Sequence, residues 1–272
     1  MRSAICEART DNERKAISRR LRRHILWHAF RGSPIRYVVN RSHVFLSKVA
    51  RMLRPPGLVL AVLGTDGSGK STAISAMEPV LSHATHGAFH VKHLRPGLLP
   101  PLARFRGVRS EQPGPVTDPH GSTPSGAVGS LVRVLYLLLD YILGYWILIR
   151  PQIAKQPAVF VFDRYAYDMA LDPRRFRIGL PPKFFRRLIR LAPKPDLIFC
   201  LHAPVDVIAS RKSELPREEI EKQIQDLKDF AEKERRAVLI STDGTVEQVR
   251  DRVLDALFRF CKKRNERAFP GS

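Results

Sequence analysis

Gly64-Thr65-Asp66-Gly67-Ser68-Gly69-Lys70-Ser71 has the spacing Gly-x4-Gly-Lys-Ser, and Thr72 follows it. A loop that holds a polyphosphate needs these residue types. Glycines let backbone N–H groups close around a phosphate that a Cβ would hold off. Lys70 can place positive charge on the β/γ oxygens, and Ser71 can offer a hydroxyl ligand to Mg2+. A helix starting at the loop's end adds partial positive charge. The same letters can form an ordinary glycine-rich turn. Here they follow the apolar run Leu58–Leu63 and precede a helical pattern, the context the phosphate reading requires. Gly64 to Thr72 are therefore nucleotide-binding candidates, with a nucleoside triphosphate and Mg2+ as the expected ligands.

A second cluster, Asp163-Arg164-Tyr165, closes the apolar run Val159-Phe160-Val161-Phe162. An acidic residue at the end of a buried strand lies at the carboxyl edge of a sheet, where open α/β folds bind ligands. Asp163 could there hold a Mg2+-bound water, and Arg164 could present its planar fork to an acceptor's phosphate. By itself the triplet reads equally as a surface ion pair. A third cluster, Arg211-Lys212-Ser213-Glu214-Leu215-Pro216-Arg217, lies between two helical patterns. Its cations could close over a transferring phosphoryl group, or simply be a solvated helix turn. The catalytic candidates are Lys70, Asp163, Arg164, Arg211, Lys212 and Arg217. The metal candidates are Ser71 and Asp163.

Placing these residues together takes alternating strands and helices. Leu58–Leu63 is continuously apolar, as suits a strand covered on both faces. Ala88–Leu94, Ala158–Phe162, Leu197–Leu201 and Ala237–Ile240 repeat the strand pattern. Helical periods fill about Lys70–Leu81, Val132–Arg150, Arg217–Arg235 and Thr245–Lys262; Ile220, Ile224, Leu227 and Phe230 show the three- and four-residue spacing. Such alternation predicts α/β layers around a parallel sheet. Gly107–Gly129, rich in Gly, Pro and Ser, predicts a long surface loop, either disordered or a lid. Pro55-Pro56-Gly57 stops any helix. It separates a basic, partly helical extension (1–55), with helices expected at Asn12–His28 and Ser42–Leu53, from a domain over 56–265 and a tail over 266–272.

Of the net charge of +21, residues 1–55 supply +11, with 14 Lys/Arg against Glu7, Asp11 and Glu13. A segment of this kind attracts nucleic acid, anionic lipid or nucleotide, or remains a solvated arm. No aromatic-interleaved RNA motif or helix-turn-helix pattern accompanies it. Cys6, Cys200 and Cys261 are dispersed, which excludes a CxxC zinc site and fits a reducing cytoplasm. A secretory signal is not expected, and the early acidic residues do not suit a transit peptide. Val132–Ile149 reaches the lower length limit for a membrane span. Asp140 near its middle would be costly in lipid, so a core helix with its carboxylate aimed at the site is expected, and no transmembrane segment.

The GTDGSGKST loop, the DRY triplet, the PDLIFCLHAPVDVIASRK run and the closing VLISTDGTVEQVRDRV together resemble the thymidylate kinase family, over about residues 58–258. The resemblance implies a P-loop NTPase fold, three α/β/α layers about a five-stranded parallel sheet of order 2-3-1-4-5. It implies phosphoryl transfer from ATP to a nucleoside monophosphate, dTMP by default, in a homodimer packed through long helices. Asp66 would face the acceptor's sugar hydroxyl, Arg164 its phosphate, and Arg211 with Lys212 or Arg217 would be lid cations. Arg95, within His93-Leu94-Arg95-Pro96-Gly97, matches a segment that lines the acceptor site. Gly67 stands where some members carry a loop arginine, so the transition-state cation is expected from the lid.

The acceptor side departs from that family. Aligned on Asp140, the positions of its base-stacking phenylalanine and base-bonding arginine are Leu137 and Tyr141, and Asp168 replaces a small polar residue. Leucine gives up stacking worth roughly 1 kcal/mol beyond burial, and tyrosine lacks the bidentate fork. The acceptor site expected is therefore Asp66, Arg95, Asp140, Tyr141, Arg164 and Asp168, with altered specificity. The chain is also similar to divergent bacterial thymidylate-kinase-like proteins associated with surface-polysaccharide gene sets, through Arg95-Pro96-Gly97, Asp140-Tyr141 with Gly144-Tyr145, and Asp172-Pro173-Arg174-Arg175. One alternative is then a kinase of a sugar or glycolipid precursor, with Asp168 or Asp66 as base. Another is a non-enzymatic, nucleotide-dependent scaffold that binds nucleic acid or an anionic membrane through residues 1–55.

Overall fold

A computed structural model describes residues 11–100, 126–172, 176, 178–211 and 216–268. The chain divides after Arg54 into two compact units. The first contains α1 (Asp11–Gly32) and α2 (Pro34–Leu53). The second helix starts at Pro34 rather than at Ser42 because a proline in the first turn lacks only an N–H that would have no partner there.

The second unit runs β1 (Leu58–Gly64), α3 (Lys70–Ala84), β2 (Phe89–His93), α4 (Ala127–Gly144), α5 (Arg150–Lys155), β3 (Val159–Asp163), α6 (Ala166–Leu171), α7 (Pro182–Ile189), β4 (Leu197–His202), α8 (Val205–Arg211), α9 (Arg217–Lys233), β5 (Ala237–Ser241) and α10 (Val246–Ala268). The five strands form one parallel sheet in the order β2-β3-β1-β4-β5, as expected. The fold is the three-layer α/β/α arrangement of P-loop NTPases. Every residue of β1 is buried, and its alternation explains the unbroken apolar run. Val59, Ala61 and Leu63 face a core with Val134, Leu138, Tyr141 and Phe160. Leu58, Leu60 and Val62 face the opposite core with Ala73, Met77, Val253 and Leu257.

Some boundaries differ from expectation. The helix of the Val132 region starts at Ala127, inside the predicted 107–129 loop, of which residues up to 125 lie outside the described residues. It passes through a π turn, Tyr145–Ile149, into α5. Pro151 has no N–H to return to Ile147, and the helix widens just before it. By length and composition, Ala127–Lys155 is the one described helix that could cross a membrane, with 33% of its most apolar window buried. Its Asp140 is fully buried. The last helix runs to Ala268, past the boundary expected at 265, and Arg264 on it donates to the carbonyls of Gly57 (3.4 Å) and Pro55.

Candidate active site

The ends of β1 and β3 meet at the carboxyl edge of the sheet, where Val62 stands in register with Asp163. The loop after β1 can form only with glycine at its start. A Cβ on Gly64 would lie 2.5 Å from the Leu201 carbonyl oxygen and 2.6 Å from Ser68 Oγ. Gly67 and Gly69 take φ of +85° and +82°, the left-handed region that L side chains avoid. The loop then delivers Lys70 to the first turn of α3, with Ser71 and Thr72 open to solvent beside it.

Lys70 is buried, and its ammonium donates to the carbonyls of Gly64 (2.9 Å) and Thr65 (2.8 Å), with Asp66 3.8 Å away. Burial, and next the Arg164 cation, pull its pKa from the ordinary 10.5 to about 8, against the opposing pull of Asp168, Asp66 and Asp163. Among the described residues, the buried side-chain oxygens without a hydrogen-bond partner are Thr65 Oγ1, Ser68 Oγ and Asp163 Oδ1. All three lie in this site. Buried polar atoms are normally satisfied, so these three are free to bond a polar ligand.

Asp163 Oδ2 lies 3.5 Å from His93 Nδ1, across the β2–β3 pair. Burial raises the Asp163 pKa, but the His93 hydrogen bond and the nearby cations Lys70 and Arg164 outweigh it, and the net shift is downward. The group is a carboxylate at neutral pH. Asp163 and the Ser71 hydroxyl are hard oxygen donors of the kind Mg2+ takes. Among the described residues, no group of three or more His, Cys, Asp or Glu could hold a metal unaided. The remaining ligands would be phosphate and water, the usual pattern for Mg2+.

Arg164 adopts φ +70°, a left-handed conformation that costs a non-glycine residue about 1–2 kcal/mol. The conformation turns a buried guanidinium into the site, where Nη1 donates to Asp168 Oδ2 (3.2 Å) and Nη2 to Asp66 Oδ1. Burial works against its charge, but Asp168, Asp66 and Asp163 outweigh that and raise its pKa. Lys70, Asp66, Arg164 and Asp168 thus form one alternating ionic chain.

Asp140 and Tyr141 are fully buried beneath the 94–99 loop. The Asp140 carboxylate accepts from the backbone N–H groups of Gly97 (3.1 Å) and Leu99 (2.6 Å) and from Arg95 Nη1 (3.4 Å). The Tyr141 hydroxyl donates to the Leu94 carbonyl, at a residue with φ +60°. Both side chains therefore hold the loop that carries Arg95. Leu137 is partly buried and packs against the core.

Arg211 lies against the phosphate loop, donating to the Gly67 carbonyl at 3.2 Å. Lys212 lies outside the described residues. Arg217 is exposed and pairs instead with Asp206 and with Glu221 (3.8 Å). Two residues to which the sequence assigns no role also border the site. His93 lies 3.5 Å from Asp163, and Thr242, after β5, comes within 3.8 Å of the position of a Cβ on Gly69. Thr242 lies within the closing VLISTDGTVEQVRDRV run, which carries the resemblance but gives it no role.

No family model matches the sequence, and no curated protein matches it. Solved structures do match. Thymidylate kinase from Ehrlichia chaffeensis shares 17% identity, with a TM-score of 0.50, over 74% of this chain and 98% of its own. Thymidylate kinase from Candida albicans shares 17% identity, with a TM-score of 0.51, over 75% and 92%. The second unit therefore has a thymidylate-kinase-like fold, reached by a widely diverged sequence.

Proposed function

We propose, from this likeness of fold and from the site, that the chain is a P-loop kinase transferring a phosphoryl group from ATP to a nucleoside monophosphate, with dTMP as the default acceptor. The observation that carries the reading is the gathering of Lys70, Arg164 and three unpartnered buried oxygens at one sheet edge. The loop from Gly64 to Thr72 binds the triphosphate through backbone N–H groups, and Lys70 turns from its own carbonyls to the β/γ oxygens. Ser71 and Asp163 would hold Mg2+, which when bound offsets phosphate charge. Arg164 takes the acceptor phosphate, Asp66 orients the acceptor's sugar hydroxyl, and Arg95 borders the same pocket. Arg211 beside Gly67 supplies the lid cation, with Lys212 as its neighbour in sequence. Free thiols at Cys200 and Cys261 suit a reducing cytoplasm. The test is Mg2+-dependent ADP formation over a panel of dTMP, dUMP, UMP and CMP, with Lys70→Ala as blank. ADP formation indifferent to all four rejects the reading.

One observation favours a second reading, a kinase of a hydroxyl-bearing metabolite such as a sugar or glycolipid precursor. Arg164 is already bracketed by Asp66 and Asp168, and neither Leu137 nor Tyr141 is placed to stack on or fork to a base. Asp168 or Asp66 would then take the hydroxyl proton. Asp168→Ser should abolish turnover of such a substrate while leaving ATP binding intact; unchanged turnover refutes it.

A homodimer completes the proposal. Val128, Val132, Leu135, Leu139, Leu143 and Trp146 recur at three- and four-residue spacing and are exposed. They form a stripe suited to a second copy of the helix. Light scattering should give a dimer for the native chain and a monomer for Leu139→Glu.

A further inference from the structure

No residue of α2 is buried. At about 100° per residue, Ile35, Val38, Phe45, Leu46, Val49 and Leu53 fall within one arc of about 160°. Arg36, Arg41, Lys48 and Arg51 flank that arc on its two sides, with Val44 between them, and no acidic residue occurs between Pro34 and Arg54. The apolar arc faces solvent: Ile35 is 79% exposed, Phe45 65% and Leu53 70%. The first helix adds Lys15, Arg19, Arg20, Arg22, Arg23 and Arg31, which fall within about half of its circumference.

Three occupants could cover such a helix, and the charge decides between them. Nucleic acid would use the cations and leave the apolar stripe in water. A second copy would bury the stripe but bring together two units that each carry +11. An anionic lipid surface satisfies both faces at once. Apolar side chains enter the boundary between headgroups and acyl chains, and flanking cations stay at the phosphate level. We infer that α2 is an in-plane anchor that seats the protein on an anionic membrane surface. The inference does not depend on the kinase reading.

The test is flotation of the full chain with neutral phosphatidylcholine vesicles and with vesicles containing about one-third phosphatidylserine. The chain should float with the anionic vesicles alone. Replacing Arg36, Arg41 or Lys48 with Gln should weaken binding about fivefold per cation, the equivalent of the usual surface attraction. Phe45→Glu should weaken it by on the order of tenfold or more, because a charge replaces an inserted ring. Phe45 is exposed, so this variant should keep the native melting temperature. Equal binding to neutral vesicles would overturn the inference. So would tight binding to duplex DNA or RNA that survives Phe45→Glu without any vesicle affinity. A dimer dissolved by Phe45→Glu, again without vesicle affinity, would overturn it in favour of self-association.

Discussion

Replacing Asp140 with asparagine removes one charge and almost no volume from the floor of the acceptor-side loop. The native carboxylate accepts three bonds, from Gly97 N–H, Leu99 N–H and Arg95. An asparagine amide has one acceptor oxygen, and its NH2 end can only donate. At least one of the three donors must lose its partner, and Arg95 loses its counter-charge. A hydrogen bond to a charged group contributes about 1.5–3 kcal/mol. The Arg95 side chain is 18% exposed, so water recovers only part of the lost pairing. The expected loss is about 3 kcal/mol in all. For a domain of this size that corresponds to a melting temperature lower by roughly 6–12 °C. Calorimetry on the full chain at pH 7 reads this directly. Kinetics supply a second readout: the acceptor KM should rise while ATP affinity stays constant, because no phosphate-loop bond involves Asp140. An unchanged or raised melting temperature would refute the assignment of Asp140 as the loop's anchor. An equal loss of ATP and acceptor affinity would refute the separation of the two half-sites.

Four further outcomes are expected. Lys70, with its pKa at about 8, should take up a proton when phosphate oxygens arrive. Calorimetric ATP binding at pH 8.5 should then show an uptake of roughly half a proton or more, read from buffer dependence, and none at pH 6.5. The same shift has a sign for stability. Between about 8 and 10.5 the unfolded chain binds more protons at this lysine, so the penalty of burying it fades as pH rises through that window. Gly64→Ala should destabilise the domain by about 2–4 kcal/mol in urea unfolding, since its methyl meets the β4 backbone. Arg164→Lys should cut kcat on the order of a hundredfold with ATP affinity unchanged, because an ammonium lacks the guanidinium's planar fork. A lysine variant with native kcat would show that the fork plays no part.

The central strand and the phosphate loop were legible from sequence because each is written in consecutive residues. An unbroken apolar run announces a strand with a core on either face, as β1 has. The spacing of Gly64, Gly69 and Lys70 announces the turn that follows. The helices α6 and α7, six and eight residues long, were too short to display a period. What lies between distant segments was hidden as well. A lone carboxylate in an apolar helix marked Asp140 as unusual, but nothing in the sequence tells that it faces backbone N–H groups more than forty residues earlier. The bracketing of Arg164 by Asp66 joins residues 98 positions apart. Proximity in sequence misled at Arg217, which stands near Arg211 in the chain but pairs with Asp206 and Glu221 in space.

Transfer of label from [γ-32P]ATP to dTMP, followed by separation of the nucleotide products, tests the central claim most directly. Labelled dTDP that requires Mg2+ and disappears in Lys70→Ala is the expected result. Label recovered only as inorganic phosphate, or left entirely in ATP across the pyrimidine monophosphates, would contradict it.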